Sequence, residues 1–147
     1  MRLLILAAAF WIAGSAICSA FELGLILGEP TGLSVSVDVG EHSTIAGAAA
    51  WSFKKPRALH LHFDYLNHWW ITQPTVPPIF SFYLGVGTRF KACEDNARVG
   101  IRLPLGIEAN FRPSRLMIFV EIAPIVDILP ASRLRLNGGF GIRYRFG

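Results

Sequence analysis

The chain has almost no cysteine, no block of like charge, and after residue 20 no apolar run long enough to cross a bilayer as a helix. Of the two cysteines, Cys18 lies in the apolar N-terminal segment and Cys93 stands alone. A disulfide framework and a cysteine-rich metal site are therefore both excluded. Charged residues make up 16% of the 147 residues, against 52% hydrophobic. A soluble chain of this size would leave much of that apolar surface in water, so it needs a large core or lipid. The formal charge of +4 is basic, but the arginines sit singly within alternating segments. That dispersal argues against a nucleic-acid partner, which reads clustered cations. Gly85-Val86-Gly87 and Gly138-Gly139 lie in strand-like stretches and open no helix, so they are not phosphate loops.

What is present begins with an address. Arg2 is followed by the apolar stretch 3–12 and by small residues ending in Cys18-Ser19-Ala20. This pattern predicts a signal peptide over 1–20, cleaved after Ala20. The apolar stretch is short for a membrane anchor. Ile17 before Cys18 argues against lipoprotein processing, which takes a small residue there.

The rest of the chain alternates. Between positions 134 and 146, Leu134, Leu136, Gly138, Phe140, Ile142, Tyr144 and Phe146 share one face. Arg135, Asn137, Gly139, Gly141, Arg143 and Arg145 share the other. A period of two is the geometry of a β-strand. The same reading predicts strands over 21–28, 33–40, 44–53, 58–65, 80–91, 98–109, 115–128 and 134–146. Tight turn signals separate most of them, as at Glu29-Pro30-Thr31-Gly32. A longer connection, 66–79, carries Trp69, Trp70 and three prolines, which exclude a central strand. The expected fold is an all-β, eight-stranded antiparallel up-and-down barrel forming one domain, 21–147.

Which face is the core decides the class. A soluble barrel of lipocalin type would turn Leu59, Leu61 and Phe63 inward around an apolar ligand. A membrane barrel exchanges the two faces. The less apolar face is rich in Gly, Ala and Ser, whereas a water-facing surface would carry many Lys and Glu. Small residues suit a narrow, filled interior. Buried charges need partners, and Asp38, Asp64, Glu108 and Glu121 could pair with Arg89, Arg102, Arg143 and Arg145 there. Aromatics near strand ends, Phe21, Trp51, Phe53, Tyr65 and Phe146, suit interfacial girdles.

Particular segments resemble a known group. Gly28-Glu29-Pro30-Thr31-Gly32-Leu33-Ser34, Ala50-Trp51-Ser52-Phe53, Leu59-His60-Leu61-His62-Phe63-Asp64-Tyr65, Gly85-Val86-Gly87, Arg98-Val99-Gly100-Ile101-Arg102 and the run from Leu136 to Tyr144 look like the small eight-stranded outer-membrane barrels of the OmpA/OmpX type. Within that type, the chain is similar to an uncharacterised family of compact bacterial outer-membrane barrels. Gly141-x-x-Tyr144-x-Phe146 resembles the C-terminal assembly signal of outer-membrane proteins, although Gly147 follows the usual terminal aromatic. The resemblance implies a bacterial outer-membrane location, contact with outer-membrane lipids and recognition by the assembly machinery through the last strand. It implies no activity. The expected protein is monomeric and needs no cofactor.

Candidate chemistry is sparse. His60, His62 and Asp64 share one face of a strand, and His at i and i+2 can chelate a metal. Same-face neighbours lie about 7 Å apart, which strains ligation, so interior polar packing is the preferred reading. A lipid-modifying enzyme is the other chemical alternative, with Ser52, His60 and Asp64 as an acyl-transfer triad. The expectation adopted is a non-catalytic barrel with a structural or membrane-maintenance role, its interior filled and closed to wide passage.

Overall fold

The computed structural model describes residues 20–28, 31–52, 57–71, 78–94, 96–129 and 131–147. Of the expected signal peptide, 1–20, residues 1–19 lie outside the described residues, as does Phe53; the expected cleavage point follows Ala20.

The described residues form one antiparallel sheet: β1 (Phe21–Gly28), β2 (Gly32–Asp38), β3 (Ser43–Ser52), β4 (Ala58–Trp70), β5 (Ile79–Cys93), β6 (Ala97–Arg102), β7 (Leu105–Phe111), β8 (Leu116–Leu129) and β9 (Arg133–Phe146). Apart from β6 and β7, which do not pair with each other, consecutive strands pair, and β1 pairs with β9, so the sheet closes. β6 and β7 both lie between β5 and β8 and act as one stave, which gives a ring of eight. The sequence predicts that stave as one continuous strand over 98–109. Pro104, without an N–H, interrupts it. The ladder is bridged around the break, with Gly85 N–H donating to the Pro104 carbonyl at 2.8 Å and Leu103 N–H to the Pro124 carbonyl at 3.0 Å.

Part of the long connection expected over 66–79 is strand. β4 runs on to Trp70 and β5 begins at Ile79, and Leu66 through Trp70 pair with Gly85 through Ser81. Pro78 lies just before β5, and Pro74 and Pro77 lie outside the described residues. The continuation was hidden because Leu66 points inward and is buried, which breaks the apolar-out alternation just where Leu59, Leu61, Phe63 and Tyr65 had established it. Trp69 stacks on Phe82 with ring centroids 5.1 Å apart, across the β4–β5 ladder.

The sheet is inside out relative to a soluble barrel. Arg102 is 2% exposed, while its neighbour Leu103 is 49% exposed. Leu59, Leu61 and Phe63, which a lipocalin-like arrangement would bury, lie on the outer surface. The outer wall is a nearly continuous apolar belt of Leu, Val, Ile and Phe, far larger than a soluble monomer exposes. Backbone pairing within a closed sheet leaves that belt compatible with hydrocarbon. At the end that holds both termini, Phe21 stacks on Phe146 at 5.0 Å and Phe146 meets Tyr144 edge-on. No helix among the described residues is long and apolar enough to span a membrane.

The interior is packed by large side chains set over glycines. The Phe119 ring lies over Gly141, the Tyr83 ring over Gly106, and the Asp64 carboxylate over Gly87, so close that a Cβ at any of the three would collide. Each of these three glycines makes room for a bulky neighbour on an adjacent stave. Ile26, Leu66, Met117 and Phe119 complete a small apolar cluster inside. Gly141→Val should therefore destabilise the barrel by about 1–3 kcal/mol through overpacking. The outward Val120→Ala should cost much less, because lipid fills the space it leaves. Urea unfolding of the protein in vesicles distinguishes the two.

Candidate functional site

Alternation along each strand sends every second side chain into the lumen, and the polar residues are stacked there in layers. Nearest the termini, the Arg145 guanidinium sits between Glu22, at 2.6 Å, and Asp38, at 3.2 Å. Ser36 donates to Glu22 at 2.8 Å and Thr44 to Asp38 at 2.9 Å. Above them, Arg143 donates from Nε to Ser34 at 2.9 Å and lies 4.2 Å over the Phe119 ring. Glu108 accepts from Ser81 at 3.0 Å and faces His68 at 3.3 Å.

The middle layer is a chain of ion-paired and hydrogen-bonded side chains. Arg102 reaches Glu121 through one guanidinium nitrogen and Asp64 at 3.4 Å through Nε. Tyr83 donates to Glu121 at 2.8 Å, and His62 Nδ1 lies 2.9 Å from Asp64. In the last layer Asp127 meets Arg89 at 2.8 Å and Arg135 at 3.2 Å. The middle layer lies where desolvation makes an unpaired charge costly, and pairing offsets that cost, whereas Arg145, Asp38 and Arg135 in the end layers are partly exposed.

The residues named from sequence are distributed among these layers. Asp64, Arg102 and Glu121 come together, as do Asp38 and Arg145. Arg89 and Glu108 are lumenal, but their ion-pair partners are Asp127 and His68. Arg143 is lumenal and has a hydroxyl and an aromatic face as neighbours instead of a carboxylate. Sequence reasoning missed Glu22, Asp127, His68 and the role of Tyr83. Glu22 and Asp127 had a usable signal, since each continues the inward alternation of its strand. His68 was concealed in the stretch read as a loop.

The weak polar cluster separates. His62 and Asp64 interact, whereas Asp64 is turned to His62 and Arg102 and does not orient His60. His60 Nδ1 and His62 Nε2 are buried without a hydrogen-bond partner. The side chain of Ser52 lies outside the described residues. Among the described residues, no group of three or more His, Cys, Asp or Glu is placed to hold a metal ion. Cys93 is a free, half-buried thiol at the end of β5. Beside it is an open, mainly apolar cleft of 400 Å³ that includes Trp51, Arg57 and Glu94. A second cleft, of 170 Å³, opens at the termini end over His68, Glu108 and Arg145.

Arg102→Leu should strand Asp64 and Glu121 together and lower stability by about 3–5 kcal/mol. The readout is the temperature at which the compact, fast-migrating form is lost on gels without prior boiling. An unchanged temperature would contradict the ion chain described for the middle layer.

No protein-family model matches the chain, and no curated protein matches it by sequence. Among solved structures, it is similar to the crystal structure of the N-terminal β-barrel domain of Pseudomonas aeruginosa OprF. The TM-score is 0.61 at 10% sequence identity, with 86% of this chain and 96% of that one covered. The likeness is one of fold: a small closed antiparallel barrel.

Proposed function

We propose that the protein is an integral barrel of a bacterial outer membrane with a non-catalytic role in the structure or upkeep of that membrane. The observation that carries the reading is the inversion of the sheet, with leucines outside and paired arginines inside. Supporting it are the fold likeness to the OprF barrel domain and the aromatic cluster around Phe146 at the closing strand. Export through a cleaved leader, assembly through β9 and life as a monomer surrounded by lipid belong to the same reading. The start of β1, the end of β9, the adjoining ends of β4 and β5 and the turn 112–115 then face the periplasm, and the opposite end faces outward.

The interior argues against a wide channel. Arg102, Tyr83, Glu121 and Phe119 meet near mid-height, all buried, and a water path would have to break their contacts. Among the described residues, the acid expected to serve His60 is engaged with His62 and Arg102.

Fractionation tests location: the protein should sediment with outer membranes and resist salt extraction. Release from the periplasm by osmotic shock would reject the reading. In planar bilayers it should give no steady conductance of porin size, and its overexpression should leave the acylation of membrane lipids unchanged.

A further inference from the structure

The mouth away from the termini is unbalanced in charge and open on one side. Inward alternation places Arg89, Lys91, Arg98, Arg133 and Arg135 around it. Across the β5–β6 ladder Lys91 stands directly opposite Arg98, and across β4–β5 His60 and His62 stand opposite Lys91 and Arg89. Like charges in register repel and weaken a sheet. Within the lumen at this end, among the described residues, the answering carboxylate is Asp127, already shared by Arg89 and Arg135. Glu94 sits beyond it on the β5–β6 turn, in the cleft with Arg57. Buried nitrogens here also lack hydrogen-bond partners: Arg89 Nε, His60 Nδ1 and His62 Nε2. A cationic pocket with an idle guanidinium donor at Arg89 is arranged for an anion.

The wall beside this mouth is low. β1 accompanies β9 only as far as Gly28 opposite Gly139, and β2 begins at Gly32. Residues 133–138 of β9 rise past that point, paired with β8 on their other side. Outward from this overhang point Leu134 and Leu136, 77% and 66% exposed, the most exposed large hydrophobic side chains of the described wall. Arg133 and Arg135 point the other way. Apolar side chains outside, a gap in the wall and cations inside form a sideways entrance suited to a molecule with an anionic head and apolar tails.

We propose that this mouth binds the phosphate headgroup of an anionic lipid. The headgroup enters over the β1–β2 hairpin and its chains lie against Leu134 and Leu136. The inference rests on the membrane reading above but adds a ligand and a place for it.

The test uses the protein in phosphatidylcholine vesicles containing increasing phosphatidylglycerol. The unfolding temperature should rise saturably with phosphatidylglycerol, since a ligand of the folded state stabilises it. Lys91→Gln/Arg98→Gln removes an unfavourable opposition, so it should fold, and in pure phosphatidylcholine it should match or exceed the parent. Its response to phosphatidylglycerol should weaken at least fivefold in apparent affinity. An equal response in parent and variant would overturn the proposal. So would full reproduction of the rise by inorganic phosphate in pure phosphatidylcholine, which would make the ligand a free anion. Failure of the lipid response in a protein that still inserts leaves the membrane reading standing and rejects only the headgroup site.

Discussion

Closure of the sheet along the β1–β9 seam is the constraint on which the rest depends. In hydrocarbon an unpaired amide or carbonyl has no water to turn to, so a sheet with two free edges cannot persist there. Pairing Phe21 with Phe146 and continuing to Gly28 with Gly139 removes both edges over the height of β1. Once closed, the ring defines an inside and an outside, and the period of two assigns every side chain to one or the other. The outer set can then be uniformly apolar. The inner set must fill a narrow tube with polar groups that satisfy one another.

That filling has two solutions in this lumen, and they alternate along the axis. One is electrostatic, as where Arg102 joins Asp64 and Glu121, or Arg145 joins Glu22 and Asp38. The other is steric, as where Phe119 and Tyr83 lie over glycines of adjacent staves. Arg143 belongs to both, hydrogen-bonded to Ser34 and lying on the Phe119 ring. Buried ion pairs add little net stability over apolar packing, but breaking one leaves a costly remnant. The lumen therefore fixes register more than it adds depth to the folding well: a slip of one residue would carry Arg102 to the lipid face.

Much of this was legible in the sequence because the alternation is a local property. The inward placement of His62, Asp64, Arg89, Arg102 and Glu121 follows from counting by twos. The link read over 66–79 shows the limit of that method. Inward Leu66 broke the polar pattern, and nearby prolines suggested a loop, yet β4 and β5 continue to pair because the hairpin is held by its own ladder. Pair identity was equally out of reach. Arg89 meets Asp127 across the lumen, from stave to non-neighbouring stave, and no periodicity along a single strand encodes such a meeting.

The staves also differ in length, which sets a mechanical relation with the bilayer. β5 has 15 residues and β2 has 7. At about 3.4 Å per residue and a tilt of roughly 40°, they project to about 39 Å and about 18 Å along the barrel axis. Lipid beside β5 meets a wall taller than a hydrocarbon core of about 30 Å, and lipid beside β1 and β2 meets one well short of it. The mismatch is relieved by tilting the barrel or thinning the leaflet on the short side. Either response would make the proposed membrane barrel a local source of curvature and elastic strain in the bilayer around it.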